Sequence, residues 1–207
     1  MYHGFYFWRR LLPQSFELLK LNLLFLLCCL PVISIPAALT AMTWVNIRLV
    51  EEKSYDLLTD FLHIFRTEFW CSLKAGLVLL AGLALFGYVF WFYQTAQTEE
   101  ALLLAMLCSA SLLPLLLLYC ALCYVQVMLA YVSLSTWSLL KNGLFLSVIC
   151  LRSTIFCLLA GIILLAVELT SLPYSAPFLI LFGFSFWNFT CTYFTLPEIK
   201  KHIVQSP

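Results

Sequence analysis

Five apolar runs decide what this chain can fold into: Leu21 to Ile47, Ala75 to Tyr93, Ala101 to Tyr131, Ile155 to Ser171 and Pro177 to Thr195. At about 1.5 Å of helical rise per residue, each of the last four crosses or nearly crosses a hydrocarbon core ~30 Å thick. With 64% hydrophobic and 10% charged residues and a mean hydropathy of +1.01, the chain lies far from soluble domains, in which charged residues make up roughly 25%. It reads as one integral membrane domain over residues 1–207, an all-α polytopic bundle of about six transmembrane helices. The net charge of +1 gives nucleic acid no electrostatic footing. Arg9 and Arg10 before "LNLLFLLCCLPVIS" resemble the start of a signal peptide, but most of the remaining chain is equally apolar, so an uncleaved first segment is expected.

The run from Leu21 to Ile47 carries Pro31 and Pro36, and is either one tilted helix of about 40 Å or a hairpin. The eleven Lys and Arg decide between them. A hairpin puts all eleven on one side of the membrane, whereas a single crossing sets Arg9, Arg10 and Lys20 against the other eight. Splitting the run from Ala101 to Tyr131 at Pro114 would separate seven from four, so Pro114 is expected to kink one long helix. The expected order is a hairpin over 15–50, a surface helix over 55–70, spans over 75–93 and 101–131, a second surface helix over 134–151, and spans over 155–171 and 177–195. Both termini are then cytoplasmic. Glu99 and Glu100 fall on outer loops free of Lys and Arg, and Glu168 just before the second of them. Tyr88, Trp91, Tyr93 and Tyr174 mark the outer boundary, with Trp8, Trp70 and Trp137 on the inner side.

Charge counting leaves the hairpin's depth open, since a full crossing and a re-entrant pair return to the same side. Within it, Ala37 and Ala41 form a small-xxx-small pair that would let the two arms approach. Asn22 and Asn46 come out at similar depth, and a hydrogen bond between them is expected.

In "YDLLTDFLHIFRTEFW", Leu58, Phe61, Leu62, Phe65 and Phe69 recur at helical spacing, opposite Asp56, Asp60, His63, Arg66 and Thr67. In "LSTWSLLKNGLFLSVICLR", Trp137, Leu140, Leu144, Val148 and Leu151 stand opposite Ser138, Lys141 and Asn142. Both helices are expected on the inner membrane surface, bound to lipid or serving as docking surfaces, with His63, Arg66, Glu68, Lys141 and Asn142 as the partner-facing residues.

The spans hold few polar groups: Thr40, Ser109, Ser111, Ser185, Asn188 and Thr190. Asn188 is the best candidate for a polar pathway, with helix packing as its favoured role. Glu17, Lys20, Lys74 and Glu168 fall near span ends, within reach of headgroups. Nine cysteines lie mostly within apolar runs and read as packing thiols. Cys120 and Cys123 form a C-x-x-C with no histidine in an apolar run to join them, so neither metal ligands nor a cofactor is expected. No P-loop, G-x-S-x-G or H-E-x-x-H motif occurs, and the spans hold no paired catalytic groups, so no enzymatic activity is expected.

"LNLLFLLCCLPVISIPAALTAMTWVNIRLVEE", followed by "FLHIFRTEF", resembles the YesL family of bacterial multi-pass membrane proteins, as does "LSTWSLLKNGLFLSVICLRSTIF" further on. Asn22, Pro31, Ser34, Ile35, Ala41, Phe61, Phe65, Arg66 and Phe69 match or conservatively replace its pattern. Phe25 stands where the family commonly has Trp, Pro36 where it has Gly, and Glu68 where it has Asn. The resemblance implies a bacterial cell membrane location and a non-enzymatic accessory role beside carbohydrate uptake systems of the ABC type, with permease or ATPase subunits as partners. A small-solute permease acting alone is the competing expectation.

Overall fold

The computed structural model describes residues 14–95, 101–132, 134–171 and 179–204. Trp8, Arg9, Arg10, Glu99, Glu100, Tyr174 and the side chain of Glu168 lie outside the described residues. Among the described residues every regular element is helical: α1 (Ser15–Cys28), a 3-10 turn (Val32–Ser34), α2 (Ile35–Glu51), α3 (Leu57–Thr67), α4 (Phe69–Thr95), α5 (Ala101–Tyr131), α6 (Thr136–Ile149), α7 (Leu151–Ser171) and α8 (Phe184–Ile199). One π-helical stretch, Leu179–Gly183, leads into α8 and another, Lys200–Val204, comes after it.

The two prolines bound the hairpin's turn. Pro31 precedes the 3-10 turn, and Pro36 sits in the first turn of α2, where a missing N–H removes no helical hydrogen bond. The Ser34 hydroxyl lies 2.5 Å from the carbonyls of both Cys28 and Pro31 and closes the loop between the arms. At its other end α2 stops at Glu52, whose left-handed backbone (φ 56°) lets the N–H of Lys53 return to the carbonyl of Arg48 at 3.0 Å. Pro114 stays inside a continuous α5, as expected of a kinked single helix. Pro197 lies inside α8 and cannot donate to the preceding turn, and the helix widens to π geometry from Lys200 onward.

By length and composition, Val32–Glu51, Phe69–Thr95 and Met106–Tyr131 are apolar enough to cross a membrane. A fourth span arises if α6 and α7, bent by 96° at Cys150, are taken together.

Helix α2 is the hub, packing against α3, α4, α5 and α8. Ala38, Ala41, Met42 and Val45 meet Leu18 and Leu21 of α1, Phe61 of α3 and Phe189 of α8 in one buried cluster. Ala37 is also buried. On the other side of α2, Ile47 joins Ala75 and Leu79 of α4 and Tyr124 and Met128 of α5. One rim of the bundle is tied by charge: Glu51 pairs with Lys53 at 2.7 Å and with Lys200, whose ammonium also lies 5.5 Å over the Tyr131 ring. The ends of α2, α5 and α8 therefore lie side by side. Tyr55 is half-buried between α2 and α3, and this burial, with Glu17 close by, pushes its hydroxyl up to about 12, so it stays neutral.

Away from this rim the bundle thins. Pro36, at the hairpin tip, sits against Gly76, so close that a Cβ at position 76 would lie 2.5 Å from the Pro36 Cβ. Gly76 is only seven residues into α4, about 10 Å along its axis, while some 28 Å of the helix continues beyond it. In that extension Leu80, Leu85, Tyr88 and Trp91 are exposed.

The surface helices depart from expectation. In α3, Phe61 is buried and stacks on Phe65 at 6.5 Å, but Leu58 and Leu62 point outward. The helix docks through Leu57, Phe61, Ile64 and Phe65, which leaves Leu58 and Leu62 beside His63 and Arg66. In α6, Trp137, Leu144 and Val148 are exposed, as is Leu151 at the start of α7, and of the expected apolar face only Leu140 is buried. The inward face is instead Leu139, Gly143, Leu146 and Ser147, because a glycine at 143 lets the helix press on Val125 of α5. The expected surface helix over 55–70 ends at Thr67, so Phe69 and Trp70 belong to α4.

Candidate functional site

Two helix faces place neutral polar groups inside the bundle. Thr40, Thr43 and Asn46 recur every three residues on α2, and Ser185, Asn188, Thr192 and Thr195 recur at helical spacing on α8. All seven are buried. Asn46 Nδ2 donates to Asn188 Oδ1 at 2.7 Å, and Asn188 Nδ2 donates to Thr43 Oγ1 at 2.9 Å. The hydroxyl of Thr192 donates to the Asn188 backbone carbonyl at 2.8 Å. From α5, Gln126 Oε1 accepts from Thr40 Oγ1 at 3.1 Å, and from α1, Asn22 Oδ1 accepts from the Ser185 N–H at 2.8 Å. A seam of amides and hydroxyls thus joins α1, α2, α5 and α8.

This corrects the expected bond between Asn22 and Asn46: each amide turns to α8. The physical reason is that α8 packs against both arms of the hairpin, and two amides of one hairpin meet only if nothing comes between the arms. Asn188, the expected polar candidate, lies at the centre of the seam. Ser109, Ser111 and Thr190 instead bond the carbonyls of their own helices, Met106, Cys108 and Phe186. Gln126, Thr43 and Thr192 were not singled out from the sequence. A glutamine inside the uncharged run "ALCYVQVMLA" is a legible signal, and so is the three-residue spacing from Thr40 to Asn46.

Among the described residues every buried polar side chain is a neutral amide or hydroxyl, so the seam can orient and clasp but has no group to move a proton. Three enclosed atoms in or near it, Asn46 Oδ1, Ser72 Oγ and Ser185 Oγ, have no hydrogen-bond partner.

Of the expected partner-facing residues, His63 and Arg66 line a shallow groove of about 470 Å³ with Thr59, Asp60 and Leu62. Glu68 belongs to a different depression, lined also by Cys71, Tyr131 and Leu139. On α6, Lys141 is exposed and Asn142 half-buried.

The cysteines are unpaired, as the packing role expects, and three of them come together. All nine are free thiols, and Cys123 of α5, Cys157 of α7 and Cys191 of α8 bring their sulfurs within 4.8 Å of one another in the interior. Cys123 is therefore grouped with thiols from two other helices, outside the C-x-x-C pair. A second set of ligand atoms, from Cys150, Glu198 and His202, meets the same distance limit at the rim.

Fold and site together define a helical, membrane-type protein held by a buried neutral polar seam. A family model described as a protein of unknown function, DUF624, matches residues 18–90, which run from α1 through most of α4. No curated protein and no solved structure matches the chain.

Proposed function

We propose that the protein is a non-enzymatic accessory subunit of a membrane uptake system, docked to its partner through α3. The observation that supports this reading is the contrast between interior and surface. Inside, Asn188 bonds both Asn46 and Thr43, and Thr40 bonds Gln126, so most of the buried polar groups are turned to one another. Outside, α3 presents Asp60, Leu62, His63 and Arg66 around an open groove, with Leu58 exposed on the same helix, a mixture of apolar and polar groups of both signs suited to another membrane protein's inner face. The resemblance to the YesL family points to permease or ATPase subunits of an ABC-type carbohydrate importer in a bacterial cell membrane.

Of six membrane-embedded helices, four then cross: α4, α5, α7 and the segment that ends in α8. The arms of the hairpin, α1 and α2, dip in and return, because Pro36 docks at Gly76, near the start of α4. The rim bearing Lys53, Lys200 and Lys201 faces the cytoplasm, with both termini.

A photo-crosslinker at His63, and a second at Lys141, tests the docking surface in intact cells. The expected product is a permease or ATPase subunit captured from position 63, and the same subunits are expected to co-purify in mild detergent. The unpartnered Asn46 Oδ1 and Ser185 Oγ favour a second reading, a small-solute permease with its polar contacts along the seam. Solute flux through the purified protein alone in liposomes, without any captured subunit, would establish that reading in place of the first.

A further inference from the structure

We infer that the point where α5, α7 and α8 meet is a binding site for a soft monovalent metal ion, Cu(I), held by Cys123, Cys157 and Cys191. A buried thiol by itself packs as a small hydrophobe, and three of them scattered through three helices would amount to nothing more. These three converge: α5, α7 and α8 each bring one sulfur to a common point, all within 4.8 Å, and each is almost fully enclosed. Tyr119 and Trp187 pack around them, with the Trp187 indole N–H donating to the Tyr119 hydroxyl at 3.0 Å and that hydroxyl donating to the Cys157 carbonyl at 3.3 Å. The pocket wall is thereby fixed independently of the thiols.

Donor number and type select the ion. Three sulfurs without a nitrogen or oxygen ligand in the set favour a soft cation. Structural zinc takes four ligands, whereas Cu(I) is content with three thiolates. Binding forms copper–sulfur bonds as thiol protons leave to water, and no electron moves because the copper arrives as Cu(I).

The second ligand set lends independent support. Cys150 precedes Cys157 by seven residues, and Glu198 comes seven after Cys191. Seven residues are close to two helical turns, about 10 Å of rise, so Glu198 lies on the same face of α8 as Cys191, while Cys150 stands at the bend just before α7. Cys150 Sγ is 3.6 Å from Glu198 Oε2, and His202 Nε2 is 3.8 Å from that same oxygen. A groove of about 260 Å³ lined by Arg152, Ser153 and Glu198 opens beside them. This sulfur, oxygen and nitrogen set at the rim is where an ion binds first, the mouth of the proposed site, about two turns from the three thiols.

The test uses full-length protein in detergent micelles under anaerobic conditions, titrated with Cu(I) against the chromophoric chelator bicinchoninate. In a background carrying C28A, C29A, C71A, C108A, C120A and C150A, one copper per chain with a three-sulfur shell in X-ray absorption is expected. Adding Cys157→Ala is expected to weaken binding about 100-fold or more, with helix content and elution volume unchanged. Absence of copper binding in the six-alanine background, an affinity that Cys157→Ala leaves within about threefold, or zinc held more tightly than copper overturns the assignment. If that background does not fold, the wild type is compared with Cys157→Ser alone, where the same loss is expected and an unchanged affinity refutes the site. Glu198→Gln combined with His202→Ala in the wild type is expected to slow loading roughly tenfold at unchanged final stoichiometry, and an unchanged loading rate removes the mouth from the proposal.

Discussion

Replacing Asn188 by leucine is expected to lower the stability of the protein by about 2–3 kcal/mol. The side chain accepts from Asn46 and donates to Thr43, so its loss leaves the Asn46 amide enclosed with no partner for its N–H, in addition to the Oδ1 that already lacks one. Thr43 is less affected, because its hydroxyl still donates to the Leu39 carbonyl at 2.7 Å. The cost falls at the centre of the seam that joins both hairpin arms to α8. Unfolding of the purified protein in mixed micelles of increasing SDS content measures it. Ser109→Ala is the comparison: that hydroxyl is exposed and bonds only its own helix, and its removal is expected to change stability by no more than about 0.5 kcal/mol. Equal effects of the two substitutions would remove Asn188 from its structural role.

Gly76→Leu is expected to be at least as damaging, by about 3 kcal/mol or more. Even a bare Cβ at position 76 would approach the Pro36 Cβ to 2.5 Å and its Cγ to 2.6 Å. The proline ring has no rotamer by which to move away, so either the hairpin tip or α4 has to shift. Leucine at Gly87, where nothing lies within 4 Å of an added Cβ, is expected to stay within about 0.5 kcal/mol of the wild type in the same assay. Near-equal effects would mean that the tip does not rest on α4.

What could be read from the letters was whatever depends on a single segment. Pro31 and Pro36 announced a turn, because proline removes an N–H and fixes φ wherever it stands. The uncharged length from Ala101 to Tyr131 announced one helix, and Pro114 left it continuous. What depends on which segments meet was not legible. Asn22 and Asn46 are both amides at comparable height, but the choice of partner belongs to α8, whose approach no local pattern encodes. Leu58 and Leu62 carry the helical spacing of a buried face and yet are exposed, because α3 turns the edge bearing Leu57, Phe61, Ile64 and Phe65 to the hairpin. The thiol group was the hardest to foresee. Cys123, Cys157 and Cys191 lie in three separate runs, each ordinary by itself, and the C-x-x-C pairs Cys123 in sequence with Cys120 alone. Gln126 is the opposite case, a polar residue in plain view within an apolar run.

We propose that the hairpin dips into the membrane from the cytoplasmic side and turns back beside the start of α4, where Pro36 meets Gly76. Single cysteines at Lys53, Ile33 and Thr98, labelled in sealed vesicles of known orientation with a membrane-impermeant maleimide, test it directly. The expected result is labelling of Lys53→Cys from the cytoplasmic side only, of Thr98→Cys from the outer side, and of Ile33→Cys from neither. Labelling of Ile33→Cys from the outer side as readily as Thr98→Cys would contradict the re-entrant hairpin.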